Sequence, residues 1–259
     1  MHYLDAGAGD PILFLHGEPT WAFLYRKIIA ELVGSHRCLA PDYFGFGRSD
    51  KPTDPAFYSY DRHVESIARF AAELDLRSIT LVVQDWGGPI GFRFAVENPE
   101  RVARLVVMNT GIGASAPSEE WLRFQAFMRR IGTEILAGQL VRLSLVQPTD
   151  DAVIAAYDAP FPVPESRIGI VQFPEQVPTS RDHPNAATML AVREQLRSFD
   201  RPALVLFSDR DPIFSRWAAE VMADTLPNAV LDPPVADAGH FLQEDQGQAI
   251  GRRIASFLL

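Results

Sequence analysis

The feature that most constrains the fold of this chain is an apolar run that leads directly into an acidic residue, a tryptophan and two glycines. Residues 78–84, Ser-Ile-Thr-Leu-Val-Val-Gln, are hydrophobic without alternation, which is typical of a strand covered on both faces of a parallel sheet. Asp85 follows, and residues 87–97 have the pattern of a helix. A strand that passes straight into a helix must turn sharply, so Asp85 is predicted at the apex of that turn, above the sheet.

Strand-like and helical stretches alternate along most of the chain, which predicts parallel strand–helix–strand units of the α/β class. Strands are predicted at 11–16, 37–41, 78–84, 104–108, 203–207 and near Val230, and helices at 21–32, 58–74, 87–97, 215–226 and 244–258. Between 113 and 197 no strand-like run occurs, and Pro is frequent, as in Pro-Phe-Pro-Val-Pro at 160–164. We therefore predict a core domain of residues 1–112 and 198–259 with a helical cap inserted at 113–197. The alternative is a second independent domain.

Composition limits the partners of the chain. A formal net charge of −9 over 259 residues repels phosphate backbones and argues against nucleic acid. The single cysteine, Cys38, lies in an apolar run and is predicted to be a core residue. The apolar runs are shorter than the ~20 residues of a membrane span, and no charged-then-apolar leader opens the chain, so we expect a cytoplasmic protein without a membrane partner. No metal or organic cofactor is expected.

The predicted position of Asp85 indicates its chemistry. Serine hydrolases place Gly-x-Ser-x-Gly at such a strand–turn–helix elbow, whereas this chain has Asp85 at the apex and glycines after it. A carboxylate can displace a leaving group from a saturated carbon and form an alkyl ester of the enzyme. Water must then attack the carboxyl carbon of that ester, which requires a general base and an oxyanion hole.

The general base is predicted to be His240, in Asp-Ala-Gly-His-Phe at 237–241 after the last weak strand. Hydrolases with this elbow have the chain order nucleophile, acid, histidine, so the base is expected late in the sequence. The other histidines lie at the terminus, at a strand end where a turn is shaped, beside predicted surface helices, or in the cap: His2, His16, His36, His63 and His183.

The acid that orients His240 is expected after the preceding strand, where Ser-Asp-Arg-Asp-Pro at 208–212 offers two carboxylates. Asp211 is preferred because it lies deeper in the loop and Pro212 fixes the chain after it. Asp209 is better suited to cap the turn or to pair with Arg210. Asn109 marks the alternative place for an acid, but an amide cannot balance the charge of an imidazolium.

Two segments are predicted to stabilise developing negative charge. The loop His-Gly-Glu-Pro-Thr-Trp at 16–21 and the residue after the nucleophile are expected to supply backbone N–H groups, from Glu18 and Trp86, to the oxyanion. An indole N–H from Trp86 directed at a leaving halide would stabilise the charge that the halide gains. The alternatives are a plain Gly-Pro turn and a packed core tryptophan.

Four motifs together resemble the haloalkane dehalogenases over nearly the whole chain. They are His-Gly-Glu-Pro-Thr-Trp at 16–21, Ala-Pro-Asp-Tyr-Phe-Gly-Phe-Gly-Arg-Ser-Asp-Lys-Pro at 40–52, Gln-Asp-Trp-Gly-Gly at 84–88 and Asp-Ala-Gly-His-Phe at 237–241. The cap segments at 159–162 and 173–174 also match. The resemblance is greatest to the subfamily that has Glu in the first motif and places the catalytic acid of the triad after the seventh strand of the family fold.

The resemblance implies an α/β-hydrolase fold with an inserted helical cap and hydrolytic dehalogenation of small haloalkanes. It implies Asp85, His240 and Asp211 as the triad and Glu18 and Trp86 at the oxyanion and halide site. The residues that match pocket positions are Trp121, Phe173, Pro174, Val177 and Ile213. The implied partners are a small apolar halogenated substrate, halide ion and water.

The chain departs from the family pattern in two places. The subfamily usually supplies a second halide-binding tryptophan from the first cap helix, where this chain has Phe124. Losing such a hydrogen bond costs about 1.5–3 kcal/mol, or roughly 10- to 150-fold in rate, unless Trp121, on the same helical face, substitutes. The second departure is a shortened or missing N-terminal hairpin, which would expose a sheet edge. We expect a monomer, with a dimer through that edge as the alternative.

Rival functions make different demands on the sequence. An epoxide hydrolase uses the same Asp nucleophile and resembles this chain, except that it needs two cap tyrosines to polarise the epoxide oxygen. Residues 113–197 contain one tyrosine, Tyr157. A fluoroacetate-type dehalogenase would have Arg where Trp86 stands, and an ordinary esterase would have Ser at the elbow. A non-catalytic binding protein on this fold would be expected to lack part of the triad.

Overall fold

A seven-stranded sheet forms the centre of the molecule in the computed structural model, which describes residues 1–113 and 117–259. The strands are β1 (Tyr3–Ala6), β2 (Pro11–Leu15), β3 (Arg37–Pro41), β4 (Ile79–Gln84), β5 (Val102–Met108), β6 (Ala203–Leu206) and β7 (Ala229–Leu231). Their order in the sheet is β1-β3-β2-β4-β5-β6-β7, and all neighbours are parallel except β1 and β3. The predicted α/β class with a mostly parallel sheet is therefore confirmed.

Ten α-helices accompany the sheet in the described part of the chain. They are α1 (Arg26–Leu32), α2 (Tyr60–Glu73), α3 (Gly87–Glu97), α4 (Glu119–Ile131), α5 (Ala137–Leu143), α6 (Asp151–Asp158), α7 (Ile168–Gln172), α8 (Ala186–Leu196), α9 (Arg216–Thr225) and α10 (Leu242–Leu258). The helix predicted at 21–32 begins as a 3₁₀ turn, Ala22–Tyr25, before α1. The helix predicted at 244–258 begins two residues earlier and has a kink at Gln246.

The central strand β4 is buried along its whole length, as the flat apolar run predicts. Leu81 and Val83 lie in one hydrophobic cluster, and Val82 between them lies in another on the opposite face. Successive side chains of a strand point to opposite faces, so two covered faces require apolar residues at every position. β4 is the fourth of the seven strands in the sheet. Asp85, which follows β4, therefore lies at the carboxyl end of the central strand.

The residues between β5 and β6 form helices α4 to α8, and no strand occurs in the described part of that insertion. Residues 114–116 of the predicted cap lie outside the described residues. Met128, Phe173 and Met189 of the insertion are buried in the same hydrophobic cluster as Val83 of the sheet. The insertion thus shares a hydrophobic core with the sheet on which it packs.

Two side chains whose burial was predicted from the sequence, Cys38 and His63, can be compared with the structure. Cys38 is fully buried, as expected, and burial raises its pKa to about 11. His63 was expected beside a surface helix, and this is wrong: it lies on the buried face of α2, 3% exposed, one turn from Tyr60 and Ile67.

At the sheet edge, β1 retains antiparallel pairing with β3. None of the described helices combines the length and the apolar character needed to span a membrane.

Candidate active site

Asp85 occupies the sharp turn between β4 and α3. Its φ of 49° lies in the left-handed region, where a residue with a side chain is strained and is held by its surroundings. Here the Asp85 N–H donates to Asn109 O at 3.0 Å, and Thr110 Oγ1 donates to Asp85 O at 2.6 Å. Gly17 lies so close that a Cβ there would overlap the Asp85 carboxylate, so this approach requires glycine.

The two oxygens of the Asp85 carboxylate have different surroundings. Oδ1 accepts the backbone N–H of Glu18 at 2.9 Å, as predicted for one oxyanion donor. Oδ2 lies 3.6 Å from Nε2 of His240. The Trp86 N–H, the second predicted donor, makes no hydrogen bond to any described residue. One carboxylate oxygen is therefore fixed, while the other faces the imidazole.

His240 is held on its other side by Asp211. Nδ1 of the ring lies 2.8 Å from Asp211 Oδ2, and Asp211 Oδ1 accepts the Ile213 N–H at 2.8 Å. Burial lowers the pKa of His240, but the charge and hydrogen bond of Asp211 and the proximity of Asp85 outweigh it and raise that pKa to about 10. Asp209, the alternative acid, accepts the Ala238 N–H at 3.2 Å instead and does not contact the ring.

A cavity of about 630 Å³ opens above Asp85 and His240, which is within the range of small-molecule sites. Its wall includes most of the residues predicted for the pocket and the halide site: Glu18, Trp86, Trp121, Phe124, Pro174, Val177 and Ile213. Phe173 is the exception and corrects the prediction. Its ring is 1% exposed and lies behind Trp86 with centroids 5.1 Å apart, edge to face.

No tyrosine lines the described wall of this cavity. Tyr157, the single tyrosine of the predicted cap, is buried elsewhere and donates its hydroxyl to Glu244 Oε2 at 2.8 Å. The two tyrosines with which an epoxide oxygen would be polarised are therefore not found here. Among the described residues there is also no cluster of three or more His, Cys, Asp or Glu side chains arranged to hold a metal ion.

Comparison with known proteins agrees with this geometry. The family model of the α/β-hydrolase fold matches residues 10–130. A haloalkane dehalogenase of Psychrobacter cryohalolentis is 40% identical over 265 residues, which cover 100% of this chain and 87% of the relative. The chain belongs to the haloalkane dehalogenases. The tetrameric dehalogenase DpaA of Paraglaciecola agarilytica superimposes with a TM-score of 0.91 at 33% identity, over 98% of this chain and 87% of that one.

A relative with a different named activity is also similar to this haloalkane dehalogenase. The cis-3-alkyl-4-alkyloxetan-2-one decarboxylase of Shewanella oneidensis is 30% identical over 271 residues, which cover 100% of this chain and 85% of the relative. The identity of this chain to that decarboxylase is lower than its 40% identity to the dehalogenase of Psychrobacter cryohalolentis.

Two polar residues that hold the His240 loop were not predicted for this role in the dehalogenase. Asn109 Nδ2 donates to Gly239 O at 3.1 Å and to His240 O at 3.2 Å, and its Oδ1 accepts the Ser208 N–H at 2.9 Å. Gln84 Nε2 also donates to His240 O at 3.2 Å. Their partners are mostly backbone groups, which leave no pattern in the sequence. Asn109 was considered only as an alternative acid, and it does not contact the ring Nδ1.

The insertion also contacts the His240 loop in this dehalogenase. The His240 N–H donates to Ser144 O at 3.1 Å. Asp245 Oδ2 accepts the Gly239 N–H, and Oδ1 accepts the Gln147 N–H, both at 2.8 Å. The loop that carries the imidazole is therefore fastened to residues 144–147 of the insertion as well as to the sheet.

The Glu18 side chain adds a second carboxyl group close to Asp85. It is 7% exposed, its Oε1 has no partner among the described residues, and burial, followed by the charge of Asp85, raises its pKa well above the usual value. Both effects favour the neutral form of Glu18 over a second negative charge beside Asp85.

Proposed function

We propose that this protein hydrolyses small haloalkanes to alcohol and halide through a covalent alkyl ester on Asp85. Asp85 Oδ2 attacks the carbon that bears the halogen, and the halide leaves with the bonding electrons. Water then attacks Cγ of the ester while His240 Nε2 takes a proton from it. The same proton passes from His240 to Oδ2 as the Cγ–Oδ2 bond breaks, which releases the alcohol, and the new Asp85 carboxyl loses its own proton to solvent. The observation that carries this proposal is the Asp85 carboxylate, with Glu18 N–H on one oxygen and His240 3.6 Å from the other.

Loss of the Asp85 charge in the first step favours the neutral form of His240 that the second step needs. Asp85 is one of the groups that raise the pKa of His240. Alkylation makes Asp85 a neutral ester, so that contribution disappears and the pKa of His240 falls, which favours the neutral imidazole needed as a base. Asp211 retains its charge and its 2.8 Å contact, and it stabilises the imidazolium that forms when water is deprotonated.

The oxyanion of the hydrolytic step would develop on Asp85 Oδ1. That atom already accepts the Glu18 N–H at 2.9 Å, so the donor is in place before charge accumulates. The N–H of Trp86 has no acceptor among the described residues, and it is the second donor available as the carboxyl carbon becomes tetrahedral.

Halide stabilisation is assigned to the indole of Trp86, which lines the cavity and makes no hydrogen bond to the described residues. A halide that leaves in an apolar cavity gains from each N–H directed at it, because the charge is poorly solvated there. Phe124 lines the same cavity without a donor, and Trp121 lies one helical turn before it. We therefore propose Trp121 as the second halide contact and Phe124 as the position where a donor is lost.

The test of the function is halide release from matched 1-bromo- and 1-chloroalkanes by wild-type protein and by Asp85→Asn. We expect bromide release that disappears in the variant, whose folding is checked by circular dichroism. Ligand binding without turnover in both proteins would instead indicate a binding protein. No halide from any compound would contradict dehalogenation, and hydrolysis of epoxides or conversion of a cis-3-alkyl-4-alkyloxetan-2-one would then identify the rival reaction.

Two further properties remain proposals. We propose a monomer in the cytoplasm, on the acidic composition, with formal net charge −9, and with a dimer through the β1 edge as the alternative. The relative from Paraglaciecola agarilytica is a tetramer. Analytical ultracentrifugation separates these states, and a tetramer at micromolar concentration would contradict the monomer.

A further inference from the structure

One charged side chain on the cavity wall has no part in the chemistry above. Arg193, on α8, is half-buried and lines the cavity one helical turn after Met189, which lines it too. Its Nη1 lies 3.6 Å from the position that a side-chain carbon on Gly113 would occupy. The guanidinium therefore extends across the backbone after β5 at the rim of the cavity, in contact with both the cavity and solvent.

Arg193 has no counter-ion in the described part of the chain. No carboxylate lies within ion-pair distance, and no described group accepts a hydrogen bond from it, whereas Arg197 on the same helix pairs with Glu194 at 3.2 Å. Glu120 lines the same cavity and makes no ion pair with Arg193. Of the described wall residues, Arg193 is the only Lys or Arg, and its five N–H donors have no acceptor among the residues that the structure describes.

An unpaired guanidinium at the edge of an apolar cavity matches a carboxylate in geometry and charge, because its planar fork can donate two parallel hydrogen bonds. We propose that Arg193 forms an anion subsite at the rim of the cavity and binds a carboxylate at the end of the substrate remote from the halogen. The substrates would then include ω-haloalkanoates, in which an apolar chain spans the cavity between Arg193 and Asp85. This inference rests on the proposed dehalogenase function and specifies its substrate class.

The test compares three bromine compounds of the same chain length: an ω-bromoalkanoate, its methyl ester and the 1-bromoalkane, over a series of increasing lengths. Arg193→Gln removes the charge and keeps a side chain of similar shape, Arg193→Lys keeps the charge, and Arg197→Gln is the matched control outside the cavity. For the bromoalkanoate long enough to span the cavity, we expect Arg193→Gln to lower kcat/KM about tenfold, since a charge-assisted pair is lost. The 1-bromoalkane and the ester should be unaffected.

Arg193→Lys should retain part of the preference for the carboxylate, and added salt should weaken that preference in wild type. Equal effects of Arg193→Gln on the carboxylate and on the 1-bromoalkane would overturn the subsite, as would an equal effect of Arg197→Gln. Bromide release from the 1-bromoalkane, with no effect of Arg193→Gln on bromoalkanoates of any length, would overturn the subsite and leave the dehalogenase intact. No bromide from any compound would overturn both.

Discussion

The carboxylate of Asp245 accepts hydrogen bonds from three backbone N–H groups in two parts of the chain. Removing its charge should lower the free energy of unfolding. Oδ1 accepts the Gln147 N–H and Oδ2 the Gly239 N–H, each at 2.8 Å. The Val146 N–H lies 3.2 Å from Oδ1 and 3.1 Å from Oδ2. Because residue 239 precedes His240, this carboxylate joins the insertion to the loop of the proposed base.

Asp245→Asn keeps one acceptor oxygen and replaces the other by an NH₂ group, which would face an N–H donor. At least one of the three donors then loses its acceptor. A hydrogen bond to a charged group is worth about 1.5–3 kcal/mol, so we expect the free energy of unfolding to fall by about 2 kcal/mol. For a chain of this size that corresponds to a Tm lower by about 4–8 °C.

The same change should act on one half-reaction. The proposed mechanism needs His240 for hydrolysis of the alkyl ester but not for its formation, so a displaced loop slows only the second step. We expect the first-turnover burst of bromide to persist and steady-state release to fall about tenfold or more, measured by rapid mixing. Asp224→Asn is the control, since Asp224 is exposed and unpaired within the described residues. The reasoning is refuted if Asp245→Asn matches Asp224→Asn in Tm and turnover, or if burst and steady state fall in proportion.

Two more predictions concern the site. The pKa of His240 is raised from 6.5 to about 10, so its pairing with Asp211 stabilises the folded state fully below pH 6.5, and this stability is lost as pH rises through 10. His240→Gln should therefore lower the free energy of unfolding more near pH 6 than above pH 10, and equal losses by denaturant titration would contradict the pairing. Trp121→Phe should reduce bromide affinity and turnover by roughly 10- to 150-fold, and Phe124→Trp should raise both; unchanged bromide affinity in Trp121→Phe would exclude its indole as a halide contact.

The sequence predicted those features that leave a repeating or ordered pattern. The flat run of β4 indicated a strand buried on both faces, and the position of Asp85 after it indicated the elbow, because a strand can enter a helix directly only through a sharp turn. The preference for Asp211 over Asp209 came from depth in the loop, and the structure places Asp211 against His240 at 2.8 Å. Its catalytic role remains a proposal.

Features that depend on packing direction or on backbone partners could not be predicted in this way. Phe173 was matched to a pocket position, but the sequence does not specify which side of the Trp86 ring it packs against. Asn109 and Asp245 bind backbone N–H and carbonyl groups, which nearly every residue possesses (proline lacks the N–H), so no spacing marks them. For His63 a signal was present: it lies three residues after Tyr60 and four before Ile67, on the apolar face of α2, and this helical spacing indicates burial.

The insertion contributes to both halves of the proposed reaction, which makes it more than a cover for the cavity. Trp121, from α4, lines the cavity and is the proposed second halide contact. Ser144 O accepts the His240 N–H, and Asp245 fastens residues 146 and 147 to the same loop. A movement of residues 144–147 would therefore change the position of the imidazole as well as access to the cavity. Substitutions near residue 144 that alter substrate preference should for this reason also alter hydrolysis of the alkyl ester, whereas substitution of Trp121 should not.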